Sequence, residues 1–388
     1  MENFIFYNPT KIIFGKGVIS QIGTETSKIA RKVLILYGMG SIKQNGIYDS
    51  VCMSLNESNI TYIEVSGIKP NPIISKVREA IKSAKEQNVE AIIAIGGGSV
   101  IDTAKAVAAG FYYDGDPWDF IQDLSRVPPK ALPIITVLTI SATSSEMNRG
   151  AVILNEEIDM KIAFYSDYTF PKISFLDPEF QYSLPKKQIA FGAVDIITHV
   201  LEFYFDGTKN TEFQDYFAES IIKTVIKNTE ILLENPKDYE ARAQFTWMGT
   251  IALSGINAAG RNFGDWATHR IGHAISAMYD TAHGETLSIV LPAWMRYCLK
   301  TDINKFYRFG HEIFSIKAID REEVGIRGIQ ALKDWFRKIG VSTSLVDSGI
   351  RIYDIPKIAV NPSIRYPLGK LRVLEQTDVE NILRLTNY

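Results

Sequence analysis

The stretch AIIAIGGGSVID, Ala91 to Asp102, decides the fold. Its first five residues are the most apolar run in the N-terminal half and read as a buried strand, and helix-period sequence follows from about Val100 to Ala109. Gly97 and Gly98 let the backbone turn sharply and approach a ligand closely. Ser99 is placed to cap the helix, with Asp102 three residues on to complete a capping box. Exposed amides at such a helix start attract phosphate. The spacing is not G-x-G-x-x-G, so a phosphate cradle and a mere tight turn are both open on these residues alone.

Working outward, strand and helix alternate. Val33 to Tyr37 is a continuous apolar run ending at Gly38, and amphipathic sequence follows from Ile47. Ile60 to Val65 reads as a strand, Ile73 to Gln87 as a charged helix, and Pro133 to Leu138 as another strand. The short aromatic and β-branched segments Phe4 to Tyr7 and Lys11 to Phe14, around Asn8-Pro9, predict strands or a hairpin. Such alternation predicts an α/β fold with a mostly parallel, doubly wound sheet that binds ligands outside the carboxyl ends of its strands. Near Leu184 and Pro185 the character changes, and helix-period sequence runs to about Leu385. The expected division is an α/β dinucleotide-binding domain over 1–184 and an all-helical domain over 185–388.

Composition narrows the function classes. Forty-two basic against 44 acidic residues among 388 leave a net charge of −2, with no long basic run to neutralise a phosphate backbone, which argues against nucleic acid. There is no basic leader with an apolar core and no run of eighteen apolar residues, so no membrane partner is expected. Cys52 and Cys298 are far apart and suggest neither a disulfide framework nor a thiolate metal site, which fits a reducing cytoplasm.

Four of the five histidines fall between Asp195 and His283. In FGAVDIITHV, Asp195 and His199 stand one helical turn apart on one face; WATHRIGHAISAMYDTAHGE carries His269, His273 and His283. A carboxylate with neutral imidazoles suits zinc, iron, cobalt or nickel. A second loop, Gly38 to Lys43, follows a strand where many NAD enzymes place an acid for the ribose hydroxyls, and no acid stands there. Gly38, Gly40 and Ser41 offer space and donors and Lys43 a positive charge, which suits the 2′-phosphate of NADP(H).

With GGGSVID, TVLTISATSSEMN, DIITH and THRIGH…AHGE in this order, the sequence resembles the iron-containing (group III) alcohol dehydrogenases. More narrowly it resembles their NADPH-dependent butanol dehydrogenase and aldehyde reductase branch. The resemblance implies one divalent ion, iron or zinc, held by Asp195, His199, His269 and His283. It also implies cofactor contacts at Asn71, Gly97, Gly98, Ser99, Thr139, Thr143 and Lys161, to which the two loop readings above add Gly38, Ser41 and Asp102, and it implies small aldehyde and alcohol substrates and a homodimer, for which the aromatic N-terminal strands offer edge pairing.

The family corrects a guess from spacing, since His269 and His273 are the pair at ideal helical distance. On one straight helix His269 and His283 would stand roughly 21 Å apart, so the chain must turn near Asp280 to Gly284. His273 is then a candidate either to hold a metal ligand in place or to relay a proton, and Met147, Asn148, Trp266 and Tyr279 are candidates for the substrate pocket. Glycerol and glycerol-1-phosphate dehydrogenases and dehydroquinate synthases share the fold, and a nucleotide-binding redox sensor with a closed structural metal is the non-enzymatic alternative.

Overall fold

The computed structural model describes residues 1–387. Among the described residues there are eight strands: β1 (Lys11–Phe14), β2 (Lys32–Tyr37), β3 (Thr61–Val65), β4 (Ala91–Gly96), β5 (Ile134–Leu138), β6 (Gly150–Asn155), β7 (Met160–Tyr165) and β8 (Ile173–Leu176). Six make one sheet in the order β1-β8-β5-β4-β2-β3, and every pairing in it is parallel. Both faces are buried, as the continuous apolar runs require. Leu34, Leu36, Ile92 and Ile134 enter one core, while Val33, Ile35, Ile93, Ile95 and Val137 enter the other. The longer helices of this half are α1 (Ile47–Glu57), α2 (Ile74–Glu86) and α3 (Gly98–Gly110).

The last sheet strand ends at Leu176 and the first long helix beyond it starts at Lys186, just after Pro185. Among the described residues the rest has helices and one isolated bridge, Leu368 to Leu374, but no further strand. Its longer helices are α4 (Lys186–Tyr204), α5 (Glu212–Glu234), α6 (Tyr239–Ile251), α7 (Ala267–Tyr279), α8 (His283–Cys298), α9 (Ile303–Phe314), α10 (Arg321–Lys338) and α11 (Gln376–Leu385). A single apolar cluster packs them together. From Ile189 to Tyr204 every residue of α4 is buried, which suits a helix apolar nearly all round. No helix among the described residues is long and apolar enough to cross a membrane.

Two expectations are corrected. Phe4 to Tyr7 is not a strand, and Lys11–Phe14 forms no hairpin but pairs in parallel with β8. The N-terminal arm is tied to the helical half instead, since Glu2 N–H donates to Gly260 O and Asn8 Nδ2 to Ser254 O, while Asn8 Nδ2 also donates to Met147 O of the sheet half. The antiparallel pair β6 and β7 is an addition that sequence patterning did not mark.

Candidate metal and cofactor site

The loops after β2, β4 and β5 lie side by side because these strands are neighbours in the sheet. Gly97 is the N-cap of α3, and a Cβ there would stand 3.0 Å from Ile140; one on Gly98 would stand 2.5 Å from the Thr143 side chain. The glycines are therefore needed for close packing of the loop after β4 against the loop after β5. Thr139 N–H donates to Gly96 O, tying the two loops together. Beside them Gly38 O accepts from Gly67 N–H, and Gly40 takes φ 105°, a left-handed conformation open to glycine.

The capping box is not formed. Helix α3 begins at Gly98, one residue before Ser99, and has no side-chain cap. The Asp102 carboxylate instead accepts from Ser145 Oγ (2.6 Å) and Val152 N–H (2.9 Å), because the hairpin packs on that face of α3. Burial pushes its carboxyl up, against the opposing charge of Lys105.

Lys161, on β7, is buried, and its Nζ donates to Asn71 Oδ1 at 2.7 Å. Asn71 Nδ2 in turn reaches Asp280 Oδ1 at 3.1 Å, so a polar bridge crosses from the sheet half to the end of α7. Burial lowers the Lys161 ammonium to about 8, although Asp102, Asp195 and Asp280 oppose the shift.

The acid and imidazoles converge as follows. Asp195 and His199 project from one face of α4. Helix α7 carries His269, ends at Asp280 in a left-handed turn (φ 50°), and α8 restarts at His283. That turn replaces the long separation of a straight helix: the His269 and His283 rings are 5.4 Å apart. Around Asp195 Oδ1 stand His199 Nδ1 at 3.5 Å, His283 Nε2 at 3.6 Å and His269 Nε2 at 3.7 Å. Atoms bound tetrahedrally at about 2.1 Å to one ion stand about 3.4 Å apart, close to this spacing.

Asp195, His199 and His269 are the tightest group, each with a ligand atom within 4.8 Å of the others, and His283 approaches from the rim. Asp195 Oδ1, His199 Nδ1 and His269 Nε2 are buried without a hydrogen-bond partner among the described residues. Such orphaned atoms are costly in a folded protein, and a cation between them would satisfy all three. The donor set therefore fits a divalent ion.

Electrostatics agree. Burial resists charge on Asp195, yet His199, His283 and His269 hold its carboxyl well below the ordinary range. Burial drives His199 down to about 4 and His283 well below its usual value, leaving neutral imidazoles with free lone pairs. His269 differs: burial opposes its charge, but Asp195 and Glu202 raise it to about 9, so a cation at this point would take the place of its Nε2 proton. His273 is buried, its ring is 5.4 Å from that of His283, and burial with nearby Lys161 and His269 keeps it neutral.

Glu202 was missed in the sequence. It sits on α4 seven residues after Asp195 and three after His199, so it shares their face. The i, i+4, i+7 spacing of acid, histidine and acid was the available signal. Of the four pocket candidates, Trp266 lies beside the histidines, with ring centroids 5.2 Å from His269 and 6.4 Å from His199. Asn148 is held by Lys105 Nζ at 2.9 Å, Met147 O accepts from Asn8, and Tyr279 hydrogen-bonds Asp354. His311 stacks on Tyr307 at the surface, away from the cluster.

A glycine-lined loop cluster at the carboxyl edge of a parallel sheet, together with a buried acid and imidazole centre in the helical half, suits a protein that pairs a nucleotide with a metal ion. Comparison with known proteins makes the class specific. The family model "Iron-containing alcohol dehydrogenase" matches residues 9–178, and "Fe-containing alcohol dehydrogenase family, C-terminal" matches residues 189–386. The chain belongs to the iron-containing alcohol dehydrogenase family.

It is 41% identical over 387 residues to NADH-dependent butanol dehydrogenase A of Clostridium acetobutylicum, covering 99% of each chain. To the NADPH-dependent aldehyde reductase YqhD of Escherichia coli it is 38% identical over 360 residues, 92% of each. The crystal structure of NADH-dependent butanol dehydrogenase A from Thermotoga maritima superposes with a TM-score of 0.96 at 50% identity, covering 100% of this chain and 99% of that one. The names of the relatives divide between the two nicotinamide cofactors.

Proposed function

We propose that the chain is a metal-dependent, NADP(H)-linked reductase of small aldehydes that also oxidises the corresponding primary alcohols, such as butanol. The observation that carries this reading is the convergence of Asp195, His199, His269 and His283 on one point beside the Lys161–Asn71 bridge. These four residues are the proposed ligands of one divalent ion, iron or zinc. Gly38, Ser41, Asn71, Gly97, Gly98, Ser99, Thr139, Thr143 and Lys161 are the proposed cofactor contacts. Asp102 supports them by fixing Ser145 and the β6 backbone. The proposed division of labour falls at 184/185, with the cofactor on residues 1–184 and the metal on 185–388.

When bound, the ion supplies Lewis-acid polarisation of the carbonyl and the nicotinamide supplies the hydride. The chain does the rest. Gly97 to Ser99 present amides to the pyrophosphate, while Lys161 adds positive charge near Asp195 and His283. His273 passes a proton between solvent and the substrate oxygen in step with hydride arrival at carbon.

The NADP(H) preference rests on Lys43 and on the lack of an acid within the Gly38 to Ser41 loop. Assembly as a homodimer is part of the same reading: β1 is an edge strand, and Phe4, Ile5, Phe6 and Tyr7 are exposed on the arm before it. The test is oxidation of NADPH and of NADH over a series of linear aldehydes, with metal analysis and solution mass on the same sample. Absence of aldehyde-dependent oxidation of both cofactors would overturn the reading.

A further inference from the structure

Three side chains close on one carboxylate beside the Gly38 to Ser41 loop. Glu64, on β3 opposite Ile35 of β2, accepts from Tyr37 Oη at 2.7 Å, from Lys43 Nζ at 3.2 Å and from Tyr48 Oη. Tyr37 is the last residue of β2, Lys43 lies in the turn of helix Ser41–Gln44, and Tyr48 is on α1. The Lys43 ammonium also stands over both rings, 5.0 Å from the centroid of Tyr37 and 4.4 Å from that of Tyr48. Its charge thus has a counter-ion and two aromatic faces from this chain.

This arrangement alters the reading of the loop. Within Gly38 to Asn45, Lys43 is the one cation, and no acid lies in that segment. The acid arrives from the neighbouring strand, 21 residues away in sequence. Burial opposes charge on Glu64, yet Tyr48, Tyr37 and Lys43 hold its carboxyl below the ordinary range, so it is ionised at neutral pH.

We propose that Glu64 sets the choice between NADP(H) and NAD(H) by holding Lys43 as its counter-ion, so that a 2′-phosphate must draw the ammonium from a carboxylate already in place. The proposal rests on the reading that this loop receives the adenosine ribose. NAD(H), which has no 2′-phosphate, does not enter that competition. Glu64 is a specificity-determining residue that acts through Lys43, while Tyr37 and Tyr48 fix where its carboxylate stands.

The test measures dissociation constants of NADPH and NADH by nicotinamide fluorescence, and kcat/KM for each with butyraldehyde. The proteins are wild type, Glu64→Gln, Lys43→Ala and the double variant, all as full chains. Glu64→Gln is expected to tighten NADPH binding about fivefold, the scale of one partly exposed ion pair, and to leave NADH binding unchanged. The gain should shrink at high salt and vanish in the Lys43→Ala background. An unchanged ratio of NADPH to NADH affinity in Glu64→Gln, or an equal gain without Lys43, overturns the proposal. Either result from the variants, with wild type still reducing butyraldehyde, isolates the failure to Glu64. Wild type that binds neither nucleotide overturns the loop reading and this proposal together.

Discussion

Glu202 Oε1 accepts from both the backbone N–H of His269 (3.0 Å) and its ring Nδ1 (2.9 Å), while Glu202 Oε2 accepts from Trp266 N–H at 2.6 Å. One carboxylate on α4 therefore sets the start of α7 and fixes a proton on His269 Nδ1, so that Nε2 is the nitrogen turned toward Asp195 and the one a cation would bind in place of a proton.

Glu202→Gln keeps the size of the side chain but weakens this hold. It is expected to lower metal affinity by roughly 10- to 100-fold with the fold intact. Chelator competition measures this, and a variant with wild-type affinity would show that Glu202 does not tune the site.

Gly284 explains how His283 reaches Asp195. A Cβ on Gly284 would fall 2.5 Å from Phe191 O and 2.7 Å from Phe191 Cα, backbone atoms of α4 that cannot easily yield. Gly284→Ala should force α8 away from α4, destabilise the fold by about 1–3 kcal/mol, and carry the adjacent His283 outward. Thermal melting with metal analysis checks both; a variant that melts and loads like wild type contradicts the close-packing account.

His283 and His273 should separate cleanly. His283→Ala is expected to lose metal and nearly all turnover, whereas His273→Ala keeps the metal and slows the reaction. Metal content and kcat on the same preparations decide, and a metal-free His283→Ala protein with full activity would refute the ligand set.

Lys161 predicts a pH dependence. With its ammonium lowered to about 8 by burial, activity should fall as pH rises through that value, and Lys161→Met should abolish this limb of the kcat/KM profile. Stability moves the other way. The unfolded chain binds more protons at this lysine between about 8 and the ordinary 10.5, so its contribution to stability rises with pH across that window. Denaturant unfolding of wild type and Lys161→Met at several pH values tests the sign.

Much of this was legible in the sequence because it is local. The runs Val33 to Tyr37 and Ala91 to Ile95, with glycines directly after them, mark buried parallel strands, and the spacing of Asp195 and His199 marks one helical face. What escaped was set by tertiary contacts. The β6 and β7 hairpin has mixed polarity because Lys161 and Asn155 are buried by partners elsewhere, so its alternation is broken. Ser99 had a capping pattern, but Asp102 was claimed by Ser145 and Val152. Phe4 to Tyr7 had strand composition, but the arm was tied to the helical half. The Glu64 to Lys43 pair joins β3 to the helical turn Ser41–Gln44 that follows β2, and no periodicity within either segment announces it.

The central claim is that one ion, held by Asp195, His199, His269 and His283, is required for aldehyde reduction. The most direct measurement strips the purified protein with a chelator, returns divalent metal in steps, and follows butyraldehyde-dependent NADPH and NADH oxidation against bound metal. Little activity is expected in the stripped protein, with a linear return that saturates at about one ion per chain. Full turnover in the metal-free protein would contradict that claim.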